Sequence, residues 1–391
     1  MRIKKIDKSI SNKRVLLRLD LNVPIKNSVI REDFKIKQSL KTIEFLLRNN
    51  CQIIIVSHLG RPNEGVFNKK ESLNPIAKHL SNLLSRRVEF LGFDKYSKFK
   101  DIRDKISILS KKGSRVFVLD NIRFFKGEDR DCLKLGKSLA SLADAYVNDA
   151  FAVSHRANSS VSAVRKYIDS YSGLLLQKEI DNLNKVLKPK KPLVLIMGGA
   201  KVSSKAPIIK NLYNKASYIL LGGALINNFY LAKGFNIGDS IFDSESKDLI
   251  KGLISSKKII LPIDVVVLSK NSKGKEVKLV RKPSEVQDGE SICDIGPDTI
   301  NLFSSYIKKG KTIIWNGPMG MFEDDRFKNG TISVASEVAI CSKGVVFGLV
   351  GGGETVEALN LSGFSSYVDW VSTGGGAMLD YLSGKKMPGL E

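Results

Sequence analysis

At 391 residues, 42% of them hydrophobic, the chain is too long for one ordinary core and predicts two or three domains. A net charge of +23 favours anionic partners and leaves nucleic acid, an anionic membrane surface or a phosphorylated metabolite open. Four scattered cysteines with no CxxC pair, and only three histidines, exclude a zinc site at ligand spacing.

A reduced, cytoplasmic chain is expected, with neither signal peptide nor membrane span, because Met1 to Ile6 is charged but has no apolar core behind it. Residues 15–20, VLLRLD, read as a strand whose end delivers Asp20 and Asn22 before Pro24 interrupts the pattern. Leu40, Ile43, Leu46 and Leu47 give residues 39–49 helical spacing, and 52–56 form a second buried strand ending in Ser57-His58-Leu59-Gly60-Arg61-Pro62. A helix over 73–84 carries His79, read as structural. A strand over 115–119 then ends in Asp120-Asn121-Ile122-Arg123. The helix 131–142 leads into a strand over 145–148, with His155 and Arg156 beyond it.

Strands alternating with helices at this rhythm imply parallel βαβ units, in which ligands bind beyond the carboxyl ends of the strands. Asp20, Asn22, His58, Arg61, Arg123 and Arg156 are then expected to converge on one anion-binding crevice. Each has a plainer reading when taken singly: a loop cap, a packed histidine, a surface charge.

Residues 173–187 predict a connecting helix, closed by the proline-rich boundary Lys188-Pro189-Lys190-Lys191-Pro192. The alternation resumes with strands over 193–197, 218–221, 259–261, 265–268, 312–315, 345–349 and 367–371. The first of these ends in Gly198-Gly199-Ala200-Lys201, where glycines let backbone N–H groups approach an anion and Lys201 and Lys205 add charge. A tight turn with two solvated lysines is the plain alternative. Neither the GxxxxGK[ST] loop nor GxGxxG after a first strand is present. Further glycine clusters at 222–223, 317–320, 351–353 and 374–376 would give one edge a surface of bare backbone suited to a flat base and a polyphosphate. The lysine-rich stretch 269–288 reads as an exposed hairpin or excursion without an assigned role.

In order, RLDLNVP (18–24), SHLGRP (57–62), DNIRF (120–124), HRANSS (155–160), GGAKVSSK (198–205), DIGP (294–297), WNGPMGMFE (315–323), GGGET (351–355) and STGGGA (372–377) resemble the phosphoglycerate kinase family from near residue 14 to Gly389. The resemblance implies an α/β fold of two doubly wound parallel-sheet, Rossmann-like domains facing across a cleft. Residues 1–170 would bind the triose phosphate, with 373–391 returning to pack on them. Residues 171–190 would form the connecting helix and hinge, and 191–372 would bind the nucleotide.

It also implies reversible phosphoryl transfer from 1,3-bisphosphoglycerate to ADP, giving 3-phosphoglycerate and ATP in glycolysis, by a cytoplasmic monomer with Mg2+ and no nucleic-acid or membrane partner. On this resemblance Asp20, Asn22, Lys35, His58, Arg61, Arg123 and Arg156 hold the triose. The nucleotide falls to Gly199, Lys201, Lys205, Gly222, Asn316, Pro318, Glu323, Gly352, Gly353, Glu354 and Thr355, with Glu354 also on the metal. Lys35, Lys205, Gly374 and Gly375 act on the transferring group.

The chain departs from the family pattern at four positions, with Lys35 for an arginine, Glu354 for an aspartate, Asn158 for a histidine and Ala152 for a glycine, and in a short tail after Gly389. Two other readings stand beside this one. A nicotinamide dehydrogenase would share the fold class but lacks its glycine fingerprint. A basic α/β nucleic-acid-binding protein would rest on charge alone.

Overall fold

The first unit threads through β1 (Lys4–Lys5), β2 (Arg14–Leu19), β3 (Ile25–Lys26), β4 (Val29–Ile30), α1 (Phe34–Arg48), β5 (Gln52–Val56), α2 (Asn74–Leu83), β6 (Val88–Leu91), α3 (Phe99–Lys111), β7 (Val116–Leu119), α4 (Leu133–Ala140), β8 (Ala145–Asp149), β9 (Ser170–Ser172) and the start of α5 (Leu174–Leu187). This is a computed structural model, and it describes residues 3–244, 247–342 and 344–391. Residues up to Ile180 with Lys386–Glu391 form one unit and Asp181–Lys385 the other. Of the C-terminal segment expected with the first unit, residues 373–385 therefore belong to the second.

Seven parallel strands run β1-β9-β8-β2-β5-β7-β6, with the β3-β4 hairpin apart. Successive side chains of a strand point to opposite faces. Val15, Leu17, Ile53 and Ile55 accordingly pack with Ile36, Ile43 and Leu46 of α1 and Ile76 and Leu80 of α2. Leu16 and Ile54 pack with Ile102 and Ile106 of α3 and Leu135 and Leu139 of α4 on the opposite face. Each such fully buried aliphatic side chain contributes roughly 1.5–3 kcal/mol. Arg18 shares the face of Leu16, so an arginine 2% exposed lies inside the sheet layer.

The second unit continues with β10 (Leu193–Met197), α6 (Val202–Leu212), β11 (Tyr218–Leu221), α7 (Leu225–Ala232), α8 (Lys247–Leu253), β12 (Ile259–Ile260), β13 (Val265–Lys270), β14 (Glu276–Arg281), β15 (Ser291–Ile295), α9 (Pro297–Ile307), β16 (Thr312–Asn316), α10 (Asn329–Ser342), β17 (Phe347–Gly351), α11 (Gly353–Leu361), β18 (Trp370–Ser372) and α12 (Gly376–Leu382). Its parallel sheet has the order β12-β11-β10-β16-β17-β18. Val194, Ile196, Ile313, Trp315 and Val350 bury one face under Phe303, Val334 and Leu359 from α9, α10 and α11.

One expected strand lies elsewhere. Residues 265–268 belong to β13, which pairs antiparallel with β14 and β15 in a separate sheet. The 269–288 excursion is the turn and second arm of that hairpin, and its alternating exposed and half-buried residues mark a strand with one wet face.

Candidate active sites

In the first sheet β8, β2, β5 and β7 are neighbours, which places the residues after their carboxyl ends side by side. Asp20 follows β2, and its Oδ2 accepts the ammonium of Lys35 from the first turn of α1 at 2.8 Å. Burial alone would push the Asp20 carboxyl up, but the Lys35 ammonium bonded to it, together with the Arg18 guanidinium, outweighs that and holds it below the usual range. His58, after β5, is buried. Burial first, then the Arg18 guanidinium, push its pKa down to about 3, which leaves the imidazole neutral at physiological pH.

The SHLGRP loop draws the other members together. The Asn22 side-chain oxygen accepts the Gly60 N–H at 3.1 Å, and Arg123 Nη1 donates to the Gly60 carbonyl at 2.5 Å. Arg123 Nε also stands 3.4 Å from the Asp129 carboxylate. Arg61 is exposed, but its backbone N–H is fixed on Glu71 Oε1 at 3.0 Å. Arg156, exposed beyond β8, donates from Nε to His155 at 3.2 Å. Asp20, Asn22, Lys35, His58, Arg61 and Arg123 are thus brought together, and Arg156 stands on the adjoining strand end. The set offers cations and a neutral imidazole to an anionic ligand.

At the two departures here, Asn158 ties its side chain to Asp129 at 2.8 Å and to the Glu128 carbonyl at 3.3 Å, and Ala152 lies in a short 3-10 turn, Phe151–Val153. Sequence reasoning assigned no role to Arg18, Glu71 or Glu128. A lone charged residue inside the apolar run VLLRLD was the one available signal for Arg18.

In the second sheet the chain leaves β10 for β11 and β12 on one side, while β16, β17 and β18 lie on the other, so the loops after β10 and β16 flank a topological switch point. These loops are knitted by backbone. Gly198 N–H donates to Asn316 O at 3.0 Å, Gly199 N–H to Pro318 O at 2.9 Å, and Gly223 N–H to Met319 O at 2.8 Å.

The glycines sort into two kinds. A Cβ on Gly198 would lie 2.0 Å from the Pro318 carbonyl, and one on Gly317 2.1 Å from that of Gly198, so these serve packing. Gly222 likewise abuts the Met319 sulfur, and Gly352 the Asn316 amide. A Cβ on Gly199, Gly353 or Gly375 would meet nothing within 4 Å, so a ligand can come close to the chain there, although the Gly199 N–H is already spent on Pro318 and its carbonyl on Leu225.

Lys205 reaches from α6 to the Asn316 side-chain oxygen, and the Asn316 amide donates to the Gly351 carbonyl. Burial lowers the Lys205 pKa, and Glu354 pulls it back up. The Thr355 hydroxyl accepts the Gly317 N–H at 2.7 Å, an internal tie across the loops. Lys201 is exposed at the N-terminus of α6. Gly374, whose N–H donates to Ser372 Oγ at 3.1 Å, precedes Gly375 at the tip after β18.

A cavity beside these loops is lined by Gly199, Gly223, Ile226, Ile241, Pro318, Glu323 and Glu354. It offers an apolar wall to a base, bare peptide to phosphates and carboxylates at one side. Among the described residues no group of three or more His, Cys, Asp or Glu gathers for a metal. A single carboxylate, Glu354, fits a magnesium ion whose other ligands are nucleotide phosphates and water.

Fold and strand ends define an α/β protein of two doubly wound units, one with a cationic strand-end edge and the other with a glycine-rich one, the class in which anionic ligands bind beyond the strand ends. The sequence matches the family model "Phosphoglycerate kinase" over residues 3–385. It is 41% identical to the phosphoglycerate kinase of Pseudothermotoga lettingae, covering 99% of this chain and 97% of that one, and 40% identical to that of Finegoldia magna, covering 98% and 97%. The solved phosphoglycerate kinase of Coxiella burnetii superposes with a TM-score of 0.83 at 35% identity, covering 97% of this chain and 96% of the other. The chain belongs to the phosphoglycerate kinase family. Nothing in these matches favours the dehydrogenase or the nucleic-acid-binding alternative.

Proposed function

We propose that the chain transfers the acyl phosphate of 1,3-bisphosphoglycerate reversibly to ADP, giving ATP and 3-phosphoglycerate. The observation that carries this reading is the contrast between the two edges, the Lys35, Arg61, Arg123 and Arg156 cations in one unit and, in the other, Lys205 with the glycines Gly199, Gly353 and Gly375, whose Cβ positions are open. Family membership supplies the reaction that joins them.

The attacking group is an already anionic phosphate oxygen and the leaving group a carboxylate, so no proton has to be removed and no general base is needed. Positioning and charge neutralisation carry the rate. Asp20, Asn22, His58, Arg61, Arg123 and Arg156 bind the triose, while Lys35, Lys205 and the Gly375 amide stabilise the equatorial oxygens of the transferring group, and Gly374, whose N–H is spent on Ser372, shapes the tip that presents it. Gly199, Lys201, Gly222, Asn316, Pro318, Glu323, Gly352, Gly353 and Thr355 form the nucleotide site, in which Gly222, Gly352 and Thr355 hold the loops rather than touch the ligand. Magnesium, when bound by Glu354 and the nucleotide, supplies charge neutralisation on the phosphates. Water is the competing acceptor, and α5, which carries the boundary between the units, is the proposed hinge.

The reading further takes the protein as a cytoplasmic monomer without a dedicated nucleic-acid partner. Among the described residues no helix is long and apolar enough to cross a membrane. The test is a coupled assay of ATP formation from 1,3-bisphosphoglycerate and MgADP. Turnover that needs both substrates is expected, and its absence in the folded protein overturns the proposal.

A further inference from the structure

Arg18 spends its fork entirely inside the protein. Nε donates to Ser160 Oγ at 2.9 Å, Nη1 donates to the Leu19 carbonyl, and Nη2 stands 3.3 Å from His58 Nδ1. Ser160 passes the charge on, its hydroxyl donating to Glu128 Oε1 at 2.6 Å and its backbone N–H to Oε2 at 3.0 Å. Arg18 and Glu128 are 2% and 1% exposed, so the guanidinium and its counter-charge are both withdrawn from water and linked through one hydroxyl.

A guanidinium has donors and no acceptor, so the His58 nitrogen facing it must be the unprotonated one. We propose that Arg18, held by Ser160 and Glu128, is a positioning residue that locks His58 as the neutral Nε2–H tautomer, so that the triose phosphate meets an uncharged donor there. The inference rests on the triose site proposed above. Its purpose is a donor whose charge stays constant in a cluster of cations. Arg18, Arg123 and Lys35 all oppose protonation of the ring, Asp20 alone favours it, and burial decides against it.

The three histidines make this readable by ring 15N spectra of the whole protein, with His58 identified through His79→Gln and a His58→Gln control. The wild type is expected to hold His58 as Nε2–H without titration from about pH 5 to pH 8. An Nδ1–H form, or titration inside that window, overturns the proposal whatever the variants do.

Arg18→Met combined with Glu128→Gln removes the pair without leaving either charge buried alone. Mixed tautomers or a titration rising into the window are expected. The KM for 3-phosphoglycerate should rise about tenfold, the loss of one aligned hydrogen bond, and the nucleotide KM should stay within about twofold. Unchanged His58 signals in that variant overturn the lock. A His58 signal that fails to move when 3-phosphoglycerate is added overturns the triose site instead, on a readout separate from the tautomer.

Discussion

The Lys35 ammonium lies 2.8 Å from the Asp20 carboxylate, so the cation at this family departure is paired within the protein. A lysine presents a point charge where an arginine would present a planar fork able to hold the aspartate and a phosphate oxygen together. Lys35→Arg is therefore expected to preserve or raise turnover. Lys35→Ala should lower it about a hundredfold or more, because one aimed cation is lost from the transferring group. Steady-state rates of the two variants, measured beside the wild type, check this. A large loss in the arginine variant would mean that the site has been rebuilt around lysine.

Lys205 is expected to act on the transition state more than on the bound nucleotide. Lys205→Ala should cut turnover about a hundredfold with only a few-fold change in nucleotide KM. Its charge is supported by Glu354, whose removal lets burial lower the lysine further. Glu354→Gln should accordingly raise the magnesium concentration needed for half-maximal rate and move the alkaline limb of the pH profile to lower pH. A profile unchanged at its alkaline side would separate Glu354 from Lys205.

Much of the architecture could be read in advance because buried parallel strands write themselves as apolar runs. The strands at 52–56, 193–197 and 218–221 fall where those runs lie. The edge strand Val88–Leu91 was missed, and Glu276–Arg281 was legible only as part of an exposed hairpin or excursion, since half-exposed strands carry charges that break the run. At the sites, residue identity showed which glycines and arginines stand at strand tips, but not which way they face. Gly198 and Gly199 are adjacent and alike in the sequence, yet one is wedged against Pro318 and the other opens on solvent. Glu71 and Glu128 were invisible for the same reason, because their partners lie 10 and 32 residues away along the chain.

That division between glycines predicts opposite outcomes from one chemical change. Gly353 has open space at its Cβ position and opens α11, so Gly353→Ala should leave the melting temperature within about 2 °C. The same methyl stands where nucleotide phosphates are proposed to approach, and the nucleotide KM should rise about tenfold or more. Gly198→Ala would drive its methyl into the Pro318 carbonyl and should destabilise the second unit by roughly 3 kcal/mol or more. Thermal melts read with nucleotide titrations separate the two. Equal melting losses would place Gly353 among the packing glycines.

Asp149 closes β8 beneath the start of α5, where its Oδ1 accepts the Leu176 N–H at 2.9 Å while Oδ2 meets no donor among the described residues. Burial pushes its carboxyl up to about 6, against the opposing pull of Thr42 and the Leu176 and Leu175 amides. A raised carboxyl means that the native chain binds the extra proton between pH 4 and 6. Its contribution to stability is therefore present at the acid end and lost as pH rises through about 6, by an amount on the order of 3 kcal/mol. Asp294, pushed up to about 7 mainly by burial, carries the same sign to higher pH. Asp149→Asn keeps the Leu176 contact and cannot ionise. Denaturant unfolding at pH 5 and pH 8 should then show the asparagine chain at least as stable as the wild type at pH 8, with a smaller loss between the two. A variant that tracks the wild-type slope would show that Asp149 ionises in the folded protein at its ordinary pKa.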